Sequence, residues 1–169
     1  MALQLVKPTC EHKQAWKQFK RECKQAGEKY FHSKTYRQFL SRCRAHEIGQ
    51  RLPDEPHVPI TLYFLMRDDS PKIIGLIDIR HQLNDFLLND LGGHVGYVIA
   101  PSERRRGYAT QQLRLALDIC REMGINPVLI PCLKDNIASA KVIQKNGGVL
   151  DDERVSREGK VFQRYWIEV

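Results

Sequence analysis

Residues 100–113 read APSERRRGYATQQL. The stretch leaves a strand at Ala100-Pro101, crosses three consecutive arginines to Gly107, and enters a helical pattern. Its neighbours give it meaning. HVGYVIA (94–100) has the composition of a strand, residues 107–123 are apolar around much of a helix, and PVLIPC (127–132) is the short continuous apolar run of a strand buried on both faces. Strand, helix and strand in that order demand a parallel crossover. A helix start leaves N–H groups unpaired and carries the positive end of the peptide dipoles, so a loop entering it through glycine can hold a phosphate by main chain alone. Gly107 lets the chain approach an anion without a Cβ, small Ala109 keeps the first turn open, and Arg104, Arg105 and Arg106 add attraction.

Working outward, Leu3–Val6 reads as a first strand ended by Pro8, and Thr9 as the cap of a helix through Ala26 with Trp16, Phe19, Cys23 and Ala26 on one face. A second helix fits 33–46 on the stripe Tyr36, Phe39, Leu40 and Cys43, and the proline-rich stretch 47–59 is a loop. ITLYFLM (60–66) and KIIGLIDIR (72–80) flank the turn RDDSP as antiparallel strands, followed by a long polar connection over 82–93. Downstream, a helix over 136–146 stops at Gly147-Gly148, and GVLDDERVS and KVFQRYWIEV form a hairpin around REGK. These elements predict one α/β (α+β) domain over 1–169, with a mixed, mostly antiparallel sheet of about seven strands, one parallel pair and four helices.

Composition narrows the function classes. A chain of 169 residues suits a single core, and 42% hydrophobic with 28% charged residues excludes a disordered protein. No apolar run is long enough to cross a bilayer and MALQLVKPTCEHK lacks the apolar centre of a secretion signal, which predicts a cytoplasmic protein with no membrane partner. Cysteines 10, 23, 43, 120 and 132 are odd in number, form no CxxC, and three of them lie on apolar helix faces, so they are expected reduced. The six histidines lack HxxxH or HExxH spacing, so no metal site is expected. The net charge of +7 favours polyanionic or phosphorylated partners. Lys13, Lys17, Lys20, Arg21 and Lys24 make the first helix basic, either a solvated face or an attraction for an acidic partner. No RNP motif, zinc-finger spacing or base-reading helix-turn-helix points to nucleic acid.

Arg104-x-x-Gly107-x-Ala109 resembles the R/Q-x-x-G-x-G/A signature of the GNAT superfamily of N-acetyltransferases. The resemblance extends over essentially the whole chain, and GGHVGYVIAPSERRRGYAT, KDNIASAKVIQKNGG, IRHQLN and RYWI resemble a bacterial branch of predicted acetyltransferases. It implies transfer of an acetyl group from acetyl-CoA to a primary amine of a small molecule or peptide. Arg104, Arg105, Arg106, Gly107, Tyr108, Ala109 and Thr110 would cradle the pyrophosphate, and Val98 and Ile99 would present main-chain groups to the pantetheine arm where their strand splays from its parallel neighbour. Asn136, with Ser139 beside it, would contact the arm from the far side. One departure is Ile143, which stands where many members carry the tyrosine that protonates the leaving thiolate. It motivates the alternative of a non-catalytic acyl-CoA sensor.

For proton transfer the sequence offers His94, on the strand beside the expected thioester, and His81, at the end of the preceding strand; either is equally read as a hydrogen-bonded sheet or loop residue. Tyr165 either replaces the missing acid or fills the core. Cys132 reads as a buried strand thiol rather than a nucleophile, and Asn136 doubles as a helix cap. The acceptor is expected near segments 28–32, 47–57 and 82–93, whose Glu28, Glu47, Asp54, Glu55, Asp85 and Asp90 would attract a cationic amine. Either a monomer or a homodimer paired through an edge strand is compatible with this reading.

Overall fold

A computed structural model describes residues 2–28, 33–50 and 58–169. Its strands are β1 (Leu3–Val6), β2 (Ile60–Arg67), β3 (Ser70–Arg80), β4 (Val95–Ile99), β5 (Val128–Leu133), β6 (Val149–Val155) and β7 (Val161–Ile167). The helices are α1 (Lys13–Gln25), α2 (Tyr36–Glu47), α3 (Asp85–Asn89), α4 (Tyr108–Glu122) and α5 (Ile137–Lys145). Among the described residues no helix is long and apolar enough to cross a membrane.

The strands make two antiparallel ladders, β1-β2-β3-β4 and β5-β7-β6, where the sequence predicted one sheet. The parallel neighbours β4 and β5 form no ladder with each other, which leaves a gap between the halves. Side-chain alternation along β3 then explains its unbroken apolar run. Leu76 faces one way, into a cluster with Trp16, Phe19 and Cys23 of α1 and Tyr36 and Phe39 of α2. Ile77 and Ile79 face the other way, against Leu113, Ala116, Leu117 and Cys120 of α4. Covering both faces removes the large side chains from water almost completely, at roughly 1.5–3 kcal/mol for each.

Local rules set the ends of the elements. Thr9 opens not α1 itself but a 3-10 turn over Cys10–His12, where its backbone N–H donates to His12 Nδ1 at 3.0 Å. α2 begins at Tyr36, later than the predicted residue 33, because Thr35 is the cap: its side chain accepts from Gln38 N–H at 3.2 Å and Gln38 Oε1 accepts from Thr35 N–H. The fifth helix, α3, corrects the expected four. Asn84 Oδ1 accepts from Leu87 N–H at 2.9 Å and Leu87 is buried, so one capped turn with one apolar anchor suffices inside a polar connection. Of the acceptor segments, 29–32 and 51–57, with Asp54 and Glu55, lie outside the described residues.

Candidate functional site

The gap between β4 and β5 is pinned at one end by His94. Its main-chain N–H donates to Leu129 O at 2.8 Å, and its Nδ1 accepts from Leu129 N–H at 2.9 Å. Gly93 makes this contact sterically possible: at φ 76° it lies so close to β5 that a Cβ would stand 2.4 Å from Pro131 Cδ and 2.7 Å from Leu129 O. Beyond the pin the strands diverge around two adjoining cavities of about 380 and 490 Å3, which share Tyr97, Asn136 and Ser139 as lining.

Along an antiparallel ladder, alternate residues turn their main-chain groups toward the partner strand. Ala100 N–H donates to Ile74 O on the β3 side, so Ala100, Val98 and Gly96 face β3 while Ile99 and Tyr97 face the gap. The expectation for Val98 is corrected by this register. Val98 lines the larger cavity, but its peptide groups belong to the β3 ladder, and the gap-facing residue before Ile99 is Tyr97.

After β4 the chain makes a tight turn held from several sides. Glu22 of α1 accepts from Ser102 N–H at 2.5 Å, and the nearly buried Glu103 accepts from Lys72 at 2.5 Å and from Arg106 at 3.2 Å. Arg104 donates through Nε to Ile99 O at 3.2 Å and pairs with Glu28. Two of the three arginines therefore brace the turn, and Arg105 is the one without a carboxylate partner among the described residues. Arg105 and Gly107 take φ of 66° and 79°, left-handed conformations that glycine adopts at no steric cost. Between and beyond them, the main-chain N–H groups of residues 105–110 find no protein acceptor among the described residues, and Arg105, Gly107, Tyr108, Ala109 and Thr110 line the larger cavity. A Cβ on Gly107 would meet nothing within 4 Å, so the space in front of it is open. A run of N–H donors at the head of the fifteen-residue α4 has the geometry of an anion cradle. The sequence pointed to this loop, and the structure brings its residues to one cavity with Ile99, Asn136 and Ser139.

Asn136 caps α5, its Oδ1 accepting from Ser139 N–H at 3.1 Å, and lines both cavities. Ser139 Oγ lies 2.8 Å from Tyr97 Oη, which spans the gap from β4. Tyr97 escaped sequence reasoning because it looks like any apolar strand residue. The signal that would have found it is register, since it is the gap-facing residue two before Ile99.

The remaining candidates stand apart from the cradle. His94 is buried, its Nδ1 is occupied by Leu129 N–H, and burial beside Arg80 pushes its pKa down to about 4, so it serves as the pin rather than as a free base. His81 lies 2.8 Å from Thr61 Oγ1 and lines neither cleft cavity; burial lowers its pKa. Tyr165 is buried in the α4 cluster, donates to Gln163 at 2.8 Å, and has its pKa raised by burial. Ile143 is fully buried in that same cluster and faces away from the cleft. Cys132 lines the smaller cavity with a pKa raised by burial and partly offset by Ser139. Of the acidic acceptor residues, Glu28 is held by Arg104, Glu47 by Lys7 and Asp90 by Arg157 at 3.5 Å.

One carboxylate the sequence did not single out is Asp78 of β3. It sits against Gly96, where a Cβ would stand 2.9 Å from its Oδ2, and Oδ1 is buried without a hydrogen bond, 3.1 Å from Arg80 Nη1 in poor bonding geometry. Burial raises its pKa, against the opposing pull of Arg80. Gly96 and Arg80 line the smaller cavity, which puts Asp78 directly behind its wall.

The sequence profile of the acetyltransferase (GNAT) domain matches residues 3–149. No curated protein sequence matches the chain. Among solved structures, a ribosomal L7/L12 alpha-N-protein acetyltransferase, RimL, in complex with coenzyme A is similar at TM-score 0.75 and 17% identity, covering 100% of this chain and 95% of its own. A chimera of spermidine N-acetyltransferase SpeG from Vibrio cholerae and hSSAT aligns at TM-score 0.67 and 14% identity over 99% of this chain and 96% of its own. The microcin C7 self-immunity acetyltransferase MccE, in complex with acetyl-CoA and AMP, aligns at TM-score 0.68 and 12% identity, covering 99% and 92%. The profile spans most of the chain and agrees with the splayed strands and the cradle at the head of α4: the protein belongs to the GNAT acetyltransferase family.

Proposed function

We propose that the protein transfers an acetyl group from acetyl-CoA to a primary amine of a small molecule or peptide. The observation that carries this reading is the run of unaccepted N–H groups over residues 105–110, opening on the same cavity as Ile99, Asn136 and Ser139. A diphosphate fits such a run, and the gap-facing peptide groups of β4 fit an amide-bearing arm in the manner of an added strand. Coenzyme A holds both groups in RimL, and acetyl-CoA in MccE, which supports the same ligand here.

Acetyl-CoA supplies an activated thioester, and the chain's own groups position it and move protons. Arg104 fixes Ile99 by its bond to the carbonyl, so the Ile99 N–H is preorganised toward the gap for charge developing on the acyl oxygen. Ser139 Oγ, polarised by Tyr97 Oη, is the donor to the departing sulfur in place of the tyrosine whose position Ile143 occupies. Asp78, behind Gly96, accepts the proton released by the amine through water in the smaller cavity; burial raises its pKa, whereas His94 Nδ1 is already occupied by Leu129 N–H. Holding the reactants together in the cleft accounts for much of the remaining acceleration.

Thiol release from acetyl-CoA across panels of polyamines, amino acids, aminoglycosides and peptides tests this reading. Turnover with an amine supports it. Tight coenzyme A binding with no turnover across all panels contradicts it and leaves an acyl-CoA sensor.

A further inference from the structure

The outward side of α1 and α2 carries a charge pattern that acetyl transfer does not use. A groove between the two helices encloses about 1090 Å3. α1 lines it with Lys13, Lys17, Lys20, Arg21 and Lys24, and the chain entering α2 and α2 itself add Lys34, Arg37 and Arg44. Among the described residues no aspartate or glutamate lines it. Glu22 of α1 is turned away to accept from Ser102 N–H.

Outside the groove several cations are paired, Lys72 with Glu103, Lys134 with Glu153, Arg154 with Asp152 and Arg164 with Asp151. In the groove, Lys20 is held over the Trp16 ring at 4.7 Å and donates to the carbonyls of Ser33 and Lys34. The other groove cations have no carboxylate within ion-pair reach among the described residues. Lys13 and Lys17, and Lys17 and Arg21, are like charges at i,i+4, an arrangement that destabilises a helix unless something outside it compensates. Interspersing both signs removes such repulsion on a solvated face, and this face lacks that remedy among the described residues.

We propose that this groove docks an acidic amphipathic helix of a polypeptide partner, with carboxylates facing the cation rows and apolar side chains on the floor. The helical rise puts Lys13, Lys17 and Lys24 on one face, four and then seven residues apart, about 6 and about 10 Å along the axis, spacings that glutamates four and seven residues apart match on an opposing helix. Above the buried Trp16 and Tyr36, the half-buried Leu40 is the apolar side chain the groove offers, and an apolar residue of the docked helix rests there. Single-stranded nucleic acid matches the charge but not the floor: Trp16 is 2% and Tyr36 5% exposed, so neither offers an open ring face for base stacking. A bilayer surface does not enter a concave groove. The C-terminal end of α1 abuts the cradle turn through Glu22 and Ser102, so a docked partner lies beside the acyl-donor cleft without entering it. The inference does not rest on acetyl transfer, and its failure leaves that reading intact.

The test is fluorescence anisotropy with a labelled peptide about as long as α1, carrying glutamates at i,i+4 and a leucine stripe. It is titrated with the wild type, with Lys13→Glu/Lys17→Glu/Lys24→Glu, and with the milder Lys13→Gln/Lys17→Gln/Lys24→Gln. The expected result is salt-sensitive binding to the wild type, at least tenfold weaker to the glutamate variant and intermediate for the glutamine variant, with coenzyme A affinity unchanged in all three as proof of folding. Three results would overturn the proposal: no binding to the wild type up to millimolar peptide, equal binding to the variants, or tighter binding of a single-stranded RNA oligonucleotide or phosphatidylserine vesicles than of the peptide.

Discussion

His94 and Leu129 exchange two hydrogen bonds at the point where β4 and β5 part, one main chain to main chain at 2.8 Å and one from the Leu129 N–H to the imidazole Nδ1 at 2.9 Å. The pair joins the two halves of the sheet and occupies the imidazole nitrogen that a catalytic role for His94 would need. Replacing His94 by alanine leaves the buried Leu129 N–H without an acceptor, at about 1–3 kcal/mol. We expect a lower Tm in thermal melts, and a pH–rate profile of the residual activity that keeps the wild-type basic limb.

The same histidine predicts a pH dependence of stability. Its folded pKa is near 4, below the ordinary value of 6.5, so the unfolded chain binds more protons between those limits. The contribution is fully present above about pH 6.5, falls as pH drops through that window, and levels off below about 4. Its size is about 3 kcal/mol. Urea midpoints measured from pH 7 to pH 4 should fall more for the wild type than for His94→Gln; parallel curves would contradict the assignment.

Gly107 and Arg105 separate main-chain from side-chain binding. Gly107→Glu places a carboxylate in the open space before the 105–110 N–H groups and strains a left-handed position by about 1–2 kcal/mol. Calorimetry should show coenzyme A affinity down by more than a hundredfold with cooperative unfolding retained. Arg105→Ala should cost less than about tenfold and weaken the salt dependence of binding.

Proton delivery to the thiolate is assigned to Ser139 with Tyr97. Ser139→Ala and Tyr97→Phe should lower kcat by about 10–100-fold while the KM for acetyl-CoA moves within a few fold, the signature of a group acting after binding. Asp78→Asn should lower kcat/KM and remove the acidic limb of its pH profile. A KM effect alone in these variants would return the residues to a structural role.

Thiol chemistry offers a check independent of activity. Burial pushes Cys23 and Cys43 up to about 12 and Cys120 to about 11, whereas Cys10 is exposed. A disulfide exchange reagent at pH 8 should titrate Cys10 in a fast phase and Cys23 and Cys120 only on unfolding, with the fast phase lost in Cys10→Ser.

Most of the fold was legible because it is written in short-range patterns. The apolar stripe Trp16, Phe19, Cys23 fixed α1, the unbroken apolar run of β3 followed from cover on both faces, and the passage from Ile99 through Gly107 marked the turn into α4 that lines the larger cavity. What resisted was set by register and tertiary contact. That the chain entering β4 is hydrogen-bonded to β5 at His94 depends on Gly93 admitting Pro131, a contact across nearly forty residues with no local signature. Tyr97 became a site residue only once Ala100 N–H, by bonding Ile74 O, assigned which peptide groups face the gap. Arg104 and Arg106 looked like phosphate ligands in the sequence, but Glu28 and Glu103, distant or unremarked there, recruit them as braces. α3 went unpredicted because a helix of five residues lies below any periodicity.

The central claim is that main-chain amides of residues 105–110 grip the diphosphate of the acyl donor. An amide-resolved NMR titration of the 15N-labelled protein with coenzyme A, repeated with a pantetheine fragment lacking the phosphates, tests it most directly. The account predicts large downfield amide shifts over residues 105–110 with coenzyme A and none there with the fragment, which should instead move Ile99 and Ser139. Unmoved amides over 105–110 at saturating coenzyme A would contradict it.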